Sequence, residues 1–448
     1  MAPLIVSISG IRGIVGEGLG PREAVRFGLA LGTHLGGGTV VMGRDSRPTG
    51  PMLAAAVQAG LLATGCRVLD LGILSTPGIS LMVREKRARG GIVITASHNP
   101  APYNGIKMLS PEGMALDRDA GQAVTAVYAR QDFAEVGVDR IGSAEALDGA
   151  AQIHVGRVLG IVDADRIRAA AFRVVVDPVN GAGGREMRML LEDLGCDVAA
   201  INEEPTGQFG RGAEPLPENL AALGQAVVRH RAALGLALDP DADRLALVDE
   251  TGRAIGEEYT LALATRHRLT QQRGPIAANL STSRLMDHVA AEAGVALHRT
   301  AVGEVNVAQA ILQHGCVIGG EGNGGVIDPR VVPVRDSLVG AALVLEMMAS
   351  RGRKLTEACG ELPVYTMVKD KVSLADTEPA AVLEAVRDRF ADARVDQRDG
   401  LYLAWDDGWL HVRASNTEPI LRIMAEAGDG AAARRWVEEV KALAGGRN

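Results

Sequence analysis

The sequence predicts an α/β protein made of three related units and a smaller α+β unit at the C-terminal end. A strand–turn–helix–glycine–strand pattern occurs three times, and from about Tyr365 the composition shifts toward charge. The length, 448 residues, fits about three or four domains at roughly 100–200 residues each. The boundaries implied are 1–152, 153–253, 254–364 and 365–448.

In the first unit Val40–Asp45 reads as a strand ending in a polar turn. A helix follows from about Pro51 to Thr64, then Gly65-Cys66 and the strand Arg67–Gly72. The pattern returns at Arg173–Asp177, with the glycine turn Asn180–Gly184, a helix to Leu194, Gly195-Cys196 and the strand from Asp197. It returns again at Pro275–Leu280, where Ser281-Thr282-Ser283 is expected to cap a helix ending near Ala293, before Gly294 and another strand. Strand, crossover helix and strand form the βαβ unit of parallel sheets. In the tail, Thr377 is expected to cap a helix with Pro379 in its first turn. Residues 400–405 and 409–413 read as a hairpin around Asp406-Asp407-Gly408, and a last helix runs from about Ala431 to Ala444.

Several loops of this frame carry chemistry. Asp239-Pro240-Asp241-Ala242-Asp243-Arg244 places three carboxylates at alternate positions, between apolar strands. Carboxylates so clustered repel one another unless a cation holds them, and hard oxygen ligands suit Mg²⁺. The calcium-loop reading fails because Arg244 stands where that loop needs glycine. Thr95-Ala96-Ser97-His98-Asn99-Pro100 offers a hydroxyl in a turn-prone loop. A metal, a serine and an arginine together can move a phosphoryl group. Gly319–Gly325 is glycine-dense, and within it Glu321 and Asn323 offer the acceptors and donor that vicinal hydroxyls need. Arg413–Pro419, with Arg422 beyond, combines guanidiniums, hydroxyls and an amide as an anion nest does. Ser9–Gly13 contributes Arg12, and Lys107 lies just past the serine loop.

Composition excludes other classes. A net charge of −8 and 3% aromatic residues disfavour nucleic acid. No CxxC pair exists among the four cysteines, which argues against a zinc cluster or redox pair. No apolar run approaches the roughly 18 residues of a membrane span, so a soluble, cytoplasmic protein is expected.

The four loops, in this order and spacing, resemble those of the α-D-phosphohexomutase family along essentially the whole chain. The resemblance implies a heart-shaped, four-domain enzyme: three mixed-sheet α/β domains and an α+β domain meeting at a central cleft. It implies that Ser97 is the phosphoserine, and that Asp239, Asp241 and Asp243 hold one Mg²⁺ with it. Arg12 and Arg244 would face the moving charge, and Lys107 and His98 are the acid/base candidates. Gly303, Glu321 and Asn323 would read the sugar. Arg413, Ser415, Asn416, Thr417 and Arg422 would hold the phosphate that is not transferred. A hexose 1,6-bisphosphate would be intermediate and activator, and the domain with the nest is expected to move. The state expected is monomer or homodimer. Family members of dual specificity usually end the sugar loop with histidine, as phosphoglucosamine mutases usually do after a Ser-Gly, where this chain has Gly325. That ending and Val302-Gly303-Glu304 look more like archaeal-type members, many of them phosphoglucosamine mutases. With no histidine there, Lys107 is expected to serve as base with a lowered pKa, and a histidine at 325 to supplement it.

Overall fold

A computed structural model describes residues 4–374, 378–414 and 420–445. Three sheets share one topology. In the first, the parallel strands Gly38–Arg44, Cys66–Ile73 and Gly90–Ile94 are followed by the antiparallel strand Tyr103–Leu109. The second repeats it with Arg173–Asp177, Asp197–Ala200, Leu234–Leu238 and antiparallel Leu245–Asp249. The third does so with Ile276–Asn279, Leu297–Thr300, Ile318–Glu321 and antiparallel Gly325–Ile327. In each, the first strand lies between the second and third, and the fourth pairs with the third. The first sheet gains Ile5–Ser7 and Gly10–Ile14 on one edge and Ala144–Ala146 on the other.

Helices cross between the parallel strands, so both faces of the central strands are covered and those strands are mostly apolar. Val174, Val175 and Val176 are all buried, as are Leu234, Leu236 and Leu238. The helix Ser337–Arg351 is buried along most of its length and joins Leu81 of the first unit and Met187, Leu190 and Leu191 of the second in one core. The C-terminal unit is a five-stranded antiparallel sheet, Thr366–Ser373, Ile420–Ala427, Gly408–Ala414, Leu401–Ala404 and Arg394–Asp396 in spatial order. It has its own core around Val382, Leu410, Ile423 and Trp436. Among the described residues, no helix is long and apolar enough to cross a membrane.

A buried polar knot ties the first three units. His154 Nδ1 lies 2.8 Å from Glu186 Oε1, and its Nε2 lies 2.7 Å from Asp336 Oδ2. Ser75 Oγ donates to Glu186 at 2.9 Å, while Asp336 Oδ1 caps the helix Ser337–Arg351. Burial alone would lower the imidazole, but Asp336 and Glu186 raise it to about 10.

One capping expectation changes in part. The third-unit helix begins at Leu285 with no side-chain cap from its N-cap residue Arg284, and of the three preceding hydroxyls Ser283 Oγ accepts from Leu285 N at 3.1 Å while the other two face elsewhere. Ser281 Oγ lies 2.8 Å from His411 Nδ1, and Thr282 Oγ1 donates to Asn279 at 2.9 Å. Thr377 lies outside the described residues. The helix it was expected to cap runs Pro379–Arg389.

Candidate active site

The three chemical loops occupy the same place in the three sheets: the turn from the third parallel strand into the antiparallel fourth. Ser97 follows Gly90–Ile94, Asp239–Arg244 follows Leu234–Leu238, and Gly322–Gly324 follows Ile318–Glu321. Strand ends that share a topology therefore bring unlike residues to one cleft.

Ser97 is held in the left-handed region with φ 48°, which costs a non-glycine residue about 1–3 kcal/mol. The surrounding bonds impose it. Thr95 Oγ1 accepts from Ser97 N at 2.8 Å. Arg47, fully buried, uses every guanidinium donor on this loop and its support. Nε reaches Asp45 at 3.0 Å, Nη1 reaches the carbonyls of Pro100 and Tyr103 at 2.9 Å, and Nη2 those of Ser97 and Asn99 at 2.7 Å.

Ser97 Oγ then donates to Asp239 Oδ2 at 3.1 Å. The other Asp239 oxygen accepts from the backbone N–H groups of Asp243 and Arg244 at 3.1 and 3.2 Å, which folds the loop. Asp241 Oδ2 accepts from Lys107 Nζ at 2.7 Å and from Thr76 Oγ1 at 2.8 Å. Asp243 Oδ2 accepts from Arg335 Nη2 at 2.5 Å. Oxygens of the three aspartates lie within 4.8 Å of one another. Asp241 Oδ1 and Asp243 Oδ1 are buried without a hydrogen-bond partner. Burial, then Asp243 and Asp241, push Asp239 well above the usual carboxylate range. Orphaned oxygens and crowded charge fit a hard divalent cation such as Mg²⁺.

Four candidate side chains surround this cluster. Arg12 Nη1 donates to Asn99 at 2.8 Å, and Arg244 Nη1 to Glu214 at 2.6 Å. His98 Nδ1 lies 3.4 Å from Ser97 Oγ, and burial, then Arg244 and Arg12, lower its pKa to about 3. Lys107 differs from the expected lowering. Burial pulls it down, but Asp241 and Asp243 outweigh that and hold it above its ordinary value.

In the sugar loop, Glu321 Oε1 accepts from Asn279 Nδ2 at 2.7 Å and from Gly303 N at 3.1 Å, and Oε2 from Arg335 Nη1 at 2.7 Å. Asn323 Oδ1 accepts from Gly325 N at 3.3 Å. The absent histidine has a physical reason: a Cβ on Gly325 would lie 2.1 Å from Arg335 Cδ. A histidine at 325 would collide with Arg335, so the supplementing role expected of it does not fit this chain.

Arg413 and Arg422 are paired across the strands Gly408–Ala414 and Ile420–Ala427 and face the same side. Ser415, Asn416 and Thr417, between these strands, lie outside the described residues.

Direct bonds thus join Ser97 to Asp239, Lys107 to Asp241, and Gly303 to Glu321. Sequence reasoning missed Arg335, Arg47 and Thr76. Arg335 had one signal, its place before Asp336 at the start of a long apolar helix. Arg47 and Thr76 act through distant partners and had none.

Comparison with known proteins follows the same division. Sequence models of phosphoglucomutase/phosphomannomutase alpha/beta/alpha domains I, II and III match residues 4–135, 152–252 and 256–365, and that of the C-terminal domain matches 368–443. The probable phosphoglucosamine mutase of Methanopyrus kandleri is 40% identical over 436 residues, 96% of this chain and 95% of its own. The phosphoglucomutase/phosphomannomutase of Thermococcus kodakarensis is 39% identical over 439 residues, 96% of each chain. Among solved structures, a phosphoglucomutase/phosphomannomutase family protein from Burkholderia thailandensis superposes with a TM-score of 0.87 at 29% identity, covering 99% of both chains.

Proposed function

The chain belongs to the phosphoglucomutase/phosphomannomutase family, and from that premise we propose that it interconverts glucosamine 6-phosphate and glucosamine 1-phosphate. The observation that carries the chemistry is Ser97 Oγ, bonded at 3.1 Å to the aspartate cluster from a loop held in a strained turn. Bound at Asp239, Asp241 and Asp243, one Mg²⁺ would neutralise charge on the moving phosphoryl group.

Phosphorylated Ser97 gives its phosphoryl to the free hydroxyl of the sugar phosphate. The bond to Oγ breaks as the bond to the sugar oxygen forms, giving a hexose 1,6-bisphosphate. That intermediate turns over in the cleft, and its other phosphate returns to Ser97. Arg12 and Arg244 face the transferring group. Glu321, Asn323 and the Gly303 backbone hold the ring. Arg413 and Arg422, with Ser415, Asn416 and Thr417, grip the stationary phosphate. Lys107 enters as an ammonium and His98 as a neutral ring, so the pair offers a donor and an acceptor for the hydroxyl proton. Water must be kept out, or the phosphoserine would hydrolyse.

The glucosamine reading is supported by the naming of the Methanopyrus relative and by the Asn323-Gly324-Gly325 ending. The Thermococcus relative favours a second reading, dual activity on glucose and mannose phosphates. Four free cysteines suit the reducing cytoplasm. The test is 1-phosphate formation from glucosamine, glucose and mannose 6-phosphates assayed side by side. Ser97→Ala should abolish nearly all turnover, and the wild type should carry a phosphate on Ser97 by mass analysis. Full activity in the alanine variant would refute the covalent route. Release of free phosphate as fast as isomerisation would make the protein a phosphatase.

A further inference from the structure

Asp399 belongs to none of the motifs above. It lies in the turn before the strand Leu401–Ala404, and its two oxygens hold two different binding segments. Oδ1 accepts from Arg413 Nε at 2.8 Å. Oδ2 accepts from Val302 N, across the domain boundary, at 2.7 Å. The residue after Val302 is Gly303, whose N–H donates to Glu321 at 3.1 Å. The turn itself is pinned to the third domain. Arg398 Nη1 donates to the carbonyl of Arg299 at 2.5 Å. His411 Nε2 lies 2.7 Å from the carbonyl of Asp399, which can only accept, so Nε2 carries the proton and Nδ1 accepts from Ser281.

We propose that Asp399 is a positioning residue that makes recognition of the stationary phosphate and of the sugar interdependent. One carboxylate fixes the separation between the Arg413 guanidinium and the Val302–Gly303 turn beside Glu321. Its bond to Arg413 uses Nε, and no described residue bonds either Nη group. A sugar phosphate spans both segments, whereas inorganic phosphate meets only the Arg413 side. This inference rests on the reading of Arg413 as phosphate ligand and Glu321 as sugar ligand.

Asp399→Asn keeps the shape but can no longer accept both bonds. It should raise KM for glucosamine 6-phosphate about tenfold, the loss expected of one charge-assisted hydrogen bond, with kcat changed less. Inhibition by inorganic phosphate should weaken by less than half that factor. In a double-mutant cycle, the effects of Arg413→Ala and Glu321→Ala on KM should be coupled in the wild-type chain and additive in the Asp399→Asn background. Asp399→Glu, which keeps the charge but moves it by one methylene, provides a second variant if the asparagine chain does not fold, and it too should lose the coupling. Undiminished coupling in either variant, or equal weakening for inorganic phosphate and sugar phosphate, overturns the proposal. The underlying reading fails separately, if Arg413→Ala alone leaves both KM and phosphate inhibition unchanged.

Discussion

His154 stands between two buried carboxylates that belong to different domains, and its replacement should change how stability responds to pH. A rise from 6.5 to about 10 corresponds to about 5 kcal/mol, at roughly 1.4 kcal/mol per pH unit. The sign follows from the direction. A histidine raised in the folded state contributes fully below its unfolded pKa near 6.5, and the contribution fades as pH climbs through about 10. Between pH 6 and pH 9 the wild type should therefore lose about 3 kcal/mol from this group. His154→Gln should lack that slope. At pH 6 it should be less stable by about 3–5 kcal/mol, because Glu186 and Asp336 are left buried without their cation. Urea midpoints for both chains at pH 6, 7.5 and 9 measure the difference, and the gap should narrow toward pH 9. The same pH slope in both chains, or an imidazole that titrates near 6.5 by NMR, would refute the reasoning. Activity should fall with stability, since Asp336 adjoins Arg335 and Ser75 adjoins Thr76, whose side chains hold Asp243 and Asp241.

Asp241→Asn should weaken Mg²⁺ binding measured by calorimetry and cut turnover, and excess chelator should reversibly silence the wild type; undiminished activity in chelator would reject the metal assignment. Lys107→Met should lower kcat far more than it raises KM and should shift the pH–rate profile, so a normal kcat with an unchanged profile would leave Lys107 a structural cation. Gly325→His should reduce kcat and fail to rescue Lys107→Met, because the new side chain displaces Arg335 from Asp243 and Glu321; a rescued double variant would show that Arg335 yields without cost.

The sequence reading found the frame and the loops for identifiable reasons. Apolar strands and glycine-ended helices repeat at short range, and the carboxylate and serine motifs are contiguous. The fourth strand is legible only in the second sheet, where Leu245–Val248 flanks the metal loop, since an antiparallel return looks locally like any apolar run. The capping expected of the third-unit helix is met only in part: Ser283 reaches the N–H of Leu285, while Ser281 serves His411 and Thr282 serves Asn279. The supporting residues were hidden for a different reason. Arg47 holds a loop that begins at Thr95, 48 residues later, and Thr76 and Arg335 reach the aspartates from other domains. Their roles exist only in three dimensions. The Lys107 pKa was misjudged because the sequence shows neighbouring cations but not the two carboxylates that face the ammonium.

The common position of the three loops separates scaffold from cargo. A nucleophile, a metal clamp and a sugar reader each occupy the connection where a parallel strand hands over to an antiparallel one. The pairing on either side is fixed by backbone bonds, so that connection can change its side chains, or its length, without disturbing the sheet. Transplantation between relatives should therefore work loop by loop: the segment between Ile318–Glu321 and Gly325–Ile327 can be exchanged for another member's, provided that the donor's partner for position 335 travels with it. Specificity in such a molecule is a set of exchangeable inserts on a thrice-used frame.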